Sequence, residues 1–172
     1  MKLHGLIAAT HTPFHTDGTI APERVTGYTE FLIKQKMDGL YVNGSTGEGI
    51  SMSVDERKTM LDAFFQAVNG RIPVIAQVGA NSLIDAAALT AHAETVGVAA
   101  VSACAPSYFK VASASVLVDC MADIAAAAPN TPFYYYHIPK FTGVAIDMTL
   151  FLAEAQRSKL PKAELQEIIN SK

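Results

Sequence analysis

The chain has 172 residues, 50% of them hydrophobic and 17% charged, which is enough apolar material for one well-buried domain. A net charge of −3 leaves no basic footprint for nucleic acid or an anionic membrane. No uninterrupted apolar run approaches the roughly 18 residues of a membrane span, and the N-terminus lacks the charged-then-apolar pattern of a secretion signal.

In chain order, a short apolar run at 5–10, GLIAAT, predicts a first strand. The segment APERVTGYTEFLIKQKMDG (21–39) then predicts a helix. Pro22 stands near its first position, Val25, Tyr28 and Leu32 share one face, and a stop is expected near Gly39. A second strand, GLYVNG (39–44), leads into SVDERKTMLDAFFQAVNG (53–70). There Ser53 and Glu56 have capping-box spacing, Met60, Phe64 and Val68 form a core-facing stripe, and Gly70 stops the helix. Strands at PVIAQVGA (73–80), AAVSACAP (99–106) and PFYYYHI (132–138) alternate with helices at 82–97 and 113–129, ending at Gly97 and Pro129. Beyond Pro161 the chain reads as a short amphipathic helix with Leu165, Ile168 and Ile169 on one face, so residues 1–161 and the tail 162–172 are expected to differ in kind.

Strand starts lie roughly 26–34 residues apart, the length of a strand–helix unit. The strands do not alternate apolar with polar residues, which suits a parallel sheet buried on both faces. Two α/β architectures satisfy this pattern, an open doubly wound sheet and a closed (β/α)₈ barrel. Eight units need about 250 residues, so a barrel would be incomplete, with about five units plus the C-terminal helix.

In either architecture the reactive loops follow the strands. After the second strand comes NGSTGEG. Gly44 and Gly47 allow a tight turn, while Ser45 and Thr46 put two hydroxyls beside backbone N–H groups, a cradle suited to a small anion such as a carboxylate. Glu48 is expected to anchor the turn through nearby backbone N–H groups. No lysine completes a phosphate loop. Tyr108 follows the fourth strand. On the fifth, Tyr134 and Tyr136 share a face and Tyr135 takes the other, which leaves Tyr136 nearest the carboxyl end. His4, His11, His15 and His92 have no ligand spacing with one another or with an acid, so no metal site is expected, nor any cofactor. Cys104 and Cys120 lack CxxC spacing and read as buried free thiols of a reducing compartment, which makes a cytoplasmic protein the expectation.

GSTGE after the second strand, with YYYHIP and then Gly143, resembles the N-acetylneuraminate lyase branch of the pyruvate-dependent class I aldolases, a superfamily that also holds dihydrodipicolinate synthase. The resemblance runs from residue 3 to about 161. It implies a (β/α)₈ TIM barrel, usually tetrameric, that splits N-acetylneuraminate reversibly into N-acetylmannosamine and pyruvate. By the same resemblance Ser45 and Thr46 hold the pyruvate carboxylate, and Tyr136 carries the proton to and from the substrate hydroxyl. Tyr108 reaches a neighbouring subunit's site and joins Ser45 and Tyr136 in a relay.

The resemblance also implies a Schiff-base lysine on a sixth strand, near 165–168, where LPKAELQEIINSK stands instead. A class I aldolase needs that amine, because the iminium it forms is the electron sink for cleavage. Lys159, Lys162 and Lys172 lie in the polar tail, and Lys110 reads as a surface residue of its loop. Lys140, after the Ile-Pro break, is the residue of this kind nearest the fifth strand's end. Three readings remain open. The chain is an aldolase ending early; or it is a non-catalytic form whose exposed sheet edges bind partners such as full-length subunits; or it is an open α/β binding domain, recognisable by a topological switch point.

Overall fold

The computed structural model describes residues 3–158. The tail helix expected from Pro161, and Lys159, Lys162 and Lys172, lie outside the described residues.

Five strands form one parallel sheet: β1 (Ile7–Ala9), β2 (Gly39–Val42), β3 (Val74–Gln77), β4 (Ala100–Ala103) and β5 (Phe133–Tyr135). Their spatial order is the order of the sequence, with Ala8 opposite Leu40, Tyr41 opposite Ile75, Ala76 opposite Val101 and Ser102 opposite Tyr134. A sequential order has no switch point, so the doubly wound alternative fails and the partial barrel stands. The β1 and β5 strands each have one strand neighbour among the described residues.

Helices α1 (Val25–Lys34), α2 (Val54–Val68), α3 (Leu83–Val96) and α4 (Ala114–Ala125) follow the first four strands, each packed on the next. After β5 come a four-residue turn, α5 (Pro139–Thr142), and α6 (Met148–Arg157), which packs on α4. Strand alternation sorts the sheet into two faces. Leu40, Val42, Val74, Ala76, Val101, Ala103, Phe133 and Tyr135 bury against the helices. Ile7, Tyr41, Ile75, Ala100 and Tyr134 gather on the other, inner face. On the helical side Met60, Phe64 and Val68 are fully buried as the stripe requires, each stabilising by about 1.5–3 kcal/mol.

The capping box on α2 is formed: Glu56 N–H donates to Ser53 Oγ at 3.2 Å, and Ser53 N–H donates to Glu56 Oε2 at 2.8 Å. Three details depart from the sequence reading. Helix α1 stops at Lys34, five residues short of Gly39, because the chain turns through a left-handed Lys36 (φ 60°). Gly39 instead opens β2, where a Cβ would lie 2.7 Å from Ile7 Cδ1. Helix α6 was not expected; Asp147 caps it by accepting from Thr149 N–H at 2.7 Å, and Phe151 and Ala155 bury one turn apart. His92 does meet an acid, since its Nε2 lies 2.7 Å from Asp62 Oδ1 across the α2–α3 seam. Among the described residues no helix is long and apolar enough to cross a membrane.

Candidate active site

The β2 strand ends at Val42 and the chain turns sharply through Asn43, which takes a left-handed φ of 61°. Asparagine tolerates that region better than most residues. The next six residues close on themselves. Gly47 and Gly49 N–H both donate to Gly44 O at 3.1 Å, and Glu48 N–H donates to Ser45 O at 3.1 Å. The glycines are required by close approach. A Cβ on Gly44 would lie 2.6 Å from the Tyr41 ring, and one on Gly47 would lie 2.8 Å from Thr10 O. The loop after β1 pins the turn, because Thr12 Oγ1 donates to Gly47 O at 2.6 Å.

This is where the expectation for Glu48 fails. Its side chain is exposed and accepts no hydrogen bond among the described residues. What it supplies is a left-handed backbone (φ 55°), and the anchoring falls to Thr12 and the backbone. The hydroxyls of Ser45 and Thr46 are exposed and have no partner among the described residues, so both are available to a ligand.

Both residues border a cleft of about 350 Å³ on the inner face of the sheet, walled by Ile7, Ala9, Tyr41, Ile75, Ser102 and Tyr134, with Tyr136 at its edge. Mostly apolar walls and a few convergent polar groups are usual for a small-molecule site. Tyr136 follows β5 directly, its N–H donating to Ala103 O at 2.8 Å, and its half-buried ring lies 6.0 Å from that of Tyr41. Tyr135 takes the opposite face as the alternation required. Its ring lies 4.7 Å from Phe151, its hydroxyl lies 3.3 Å from His137 Nδ1, and burial pushes its phenol well above the ordinary range. The faces of the three tyrosines are therefore those expected.

Tyr108 lies elsewhere. It is 78% exposed, stacks edge-on against Phe109 at 5.0 Å, and does not line the cleft. Its loop is held by Asn81, whose Oδ1 accepts from the N–H groups of Ser107 and Tyr108 at 2.9 and 3.0 Å. Within one chain, then, the fold brings Ser45, Thr46 and Tyr136 together and leaves Tyr108 outside. No lysine lines the cleft among the described residues. Lys140 is exposed on α5, and Lys110 is exposed with its amine folded over Gly143.

Sequence reasoning missed three members of this neighbourhood. Tyr41 OH donates to Ser102 Oγ at 3.2 Å across the cleft floor, and burial pushes its phenol well above the ordinary range. The signal was alternation, since Tyr41 must face opposite to Leu40 and Val42. Arg57 is buried at 3% exposure behind the turn, and it stands in register with Met60, Phe64 and Val68 on the apolar stripe.

Comparison with known proteins agrees with the fold. The chain matches the Dihydrodipicolinate synthetase family over residues 2–158. It is 40% identical over 159 residues to N-acetylneuraminate lyase A of Xenopus laevis, covering 91% of this chain and 52% of that protein. The solved N-acetylneuraminate lyase of Proteus mirabilis superposes with a TM-score of 0.90 at 39% identity, over 95% of this chain and 54% of its own. The catalytic lysine mutant of Ruminococcus gnavus sialic acid aldolase superposes at 0.84 with 38% identity, over 90% of this chain and 50% of its own. The chain spans about half the length of the relatives it matches. With the sequential parallel sheet and the hydroxyl turn in place, the chain belongs to the dihydrodipicolinate synthetase family, in which its relatives at about 40% identity include N-acetylneuraminate lyases.

Proposed function

We propose that this chain supplies the carboxylate-binding and proton-carrying part of an N-acetylneuraminate lyase site. Ser45 and Thr46 hold the carboxylate of pyruvate or of the sialic acid, and Tyr136 handles the hydroxyl proton. The supporting observation is that two unpartnered hydroxyls and one phenol border the same 350 Å³ cleft.

The chemistry follows from those positions. As the C–C bond of the sugar acid breaks, the hydroxyl on the departing aldehyde fragment becomes its carbonyl and must lose its proton. Tyr136 at the cleft edge takes it, and returns it in the condensation direction. The bond's electron pair needs a sink on the pyruvate side, which in a class I aldolase is an iminium formed with a lysine amine. The cleft offers no such amine among the described residues, so on this reading the amine is contributed from outside residues 3–158.

A titration of the chain with pyruvate, followed by ligand-observed NMR, tests the reading. Two hydrogen bonds to a charged group stabilise by about 1.5–3 kcal/mol each, so the Ser45→Ala/Thr46→Val double variant is expected to bind pyruvate at least tenfold more weakly. Absence of pyruvate binding by the folded wild-type chain, or equal binding by the double variant, would overturn it.

A further inference from the structure

Arg57 enters the barrel mouth from α2 and is 3% exposed. Its guanidinium donates from Nη1 to Gly79 O at 3.1 Å, and from Nη2 to Gln77 O at 2.7 Å and Gln77 Oε1 at 2.6 Å. All three acceptors are neutral. The Nε–H is buried with no acceptor, and no carboxylate lies within ion-pair distance among the described residues. The carboxylate that does act on it, Asp85 at the start of α3, does so from beyond that distance. A buried cation without a counterion carries a large desolvation cost, and burial pulls this guanidinium down to about 10. Packing alone gives no reason to keep it, since an apolar side chain would suit the Met60–Phe64–Val68 stripe.

Its surroundings say what the charge faces. Asn43, the residue before the hydroxyl turn, donates from Nδ2 to Arg57 O at 2.8 Å, tying the turn to this point of α2. Gln77, held by the guanidinium, donates onward to Cys104 Sγ at 3.4 Å. Cys104 and Ser45 line one small cleft of about 280 Å³ at the strand ends. Tyr41, a wall of the main cleft, is also among the groups that Arg57 acts on electrostatically, weakly beside the effect of burial.

We infer that Arg57 is the buried counter-charge for the carboxylate seated on Ser45 and Thr46, a positioning residue that selects an anionic ketone without touching it. The inference rests on the proposed function for the ligand's identity. A fixed positive charge behind the turn does what surface lysines cannot. It acts through a low-dielectric layer, is screened by salt far less than a surface charge, and costs no ordering when the ligand arrives. The two hydroxyls supply geometry, and Arg57 supplies the preference for charge.

The test compares pyruvate with its neutral methyl ester in the whole chain, by ligand-observed NMR, for wild type, Arg57→Lys, Arg57→Gln and Arg57→Met, each checked for fold by circular dichroism. Wild type is expected to prefer pyruvate over the ester. Arg57→Gln and Arg57→Met are expected to lose about 5–20-fold in pyruvate affinity, the range of one charge at moderate effective dielectric. Their ester affinity should change less than about twofold, and Arg57→Lys, whose buried ammonium loses the forked contacts and gives up its proton readily, should recover only part of the preference. Parallel loss of both ligands in a folded variant, or no loss of pyruvate, overturns the inference and leaves the proposed function standing. Failure of wild type to bind pyruvate overturns the proposed function itself. A second readout needs no variant: wild-type pyruvate affinity should fall less than about twofold between about 50 and 500 mM salt, and a steep fall would assign the attraction to surface charge instead.

Discussion

Tyr41 shows how one side chain can set several others. Its ring fills the space where Gly44 would otherwise carry a Cβ, its hydroxyl donates to Ser102, and its face meets Tyr136 at 6.0 Å. The turn, the cleft floor and the Tyr136 ring are thus met from one position. Gly44→Ala places a methyl 2.6 Å from the Tyr41 ring, which has to move. The expected cost is about 1–3 kcal/mol in urea unfolding, the usual range for overpacking, with weaker pyruvate binding as the turn shifts. A change below about 0.5 kcal/mol would mean that the ring yields freely and fixes nothing. Ser45, Thr46 and Tyr136 were legible as candidates because they stand at strand ends in an unusual cluster, and their proposed roles came from the family resemblance. Tyr41 and Arg57 were not legible. An inward tyrosine looks like core, and an arginine beside Glu56 and Lys58 looks like part of a solvated face until its spacing to Met60 and Phe64 is counted.

At the scale of elements, α2 carries the clearest link between sequence and stability. Ser53→Ala removes the acceptor for Glu56 N–H, and caps of this kind contribute about 1 kcal/mol. The hydrogen bonds from Ser53 N–H and hydroxyl hold the Glu56 carboxyl below its ordinary value. A depressed carboxyl stabilises the fold above the unfolded value and loses that contribution as pH falls through the folded one. The Ser53→Ala deficit in urea unfolding is therefore expected to be full at pH 7 and to shrink below about pH 4. A deficit independent of pH would uncouple the cap from Glu56. Strand positions and the α2 and α3 boundaries were readable from such local signals, Ser53, Ser82 and Gly97 among them. The end of α1 was not, because Lys36 takes a conformation that glycine usually marks. Helix α6 escaped because its buried positions, Phe151 and Ala155, are too few to make a visible stripe.

For the whole molecule, the sequential five-strand sheet turns one face inward, and among the described residues that face borders the cleft of the proposed site. Here Ile7, Ile75 and Tyr134 border the 350 Å³ space together with Ser45, Thr46 and Tyr136. The cradle and the phenol are present, and no lysine lines the cleft among the described residues. The most direct measurement is borohydride reduction with pyruvate, at a concentration that saturates the cleft in the NMR titration, read by intact mass and peptide mapping beside a full-length N-acetylneuraminate lyase. The expected result is a chain that binds pyruvate yet remains unmodified at every lysine of residues 3–158, while the full-length enzyme is trapped. A stoichiometric adduct at a single lysine of residues 3–158, Lys110 or Lys140 for instance, would contradict it.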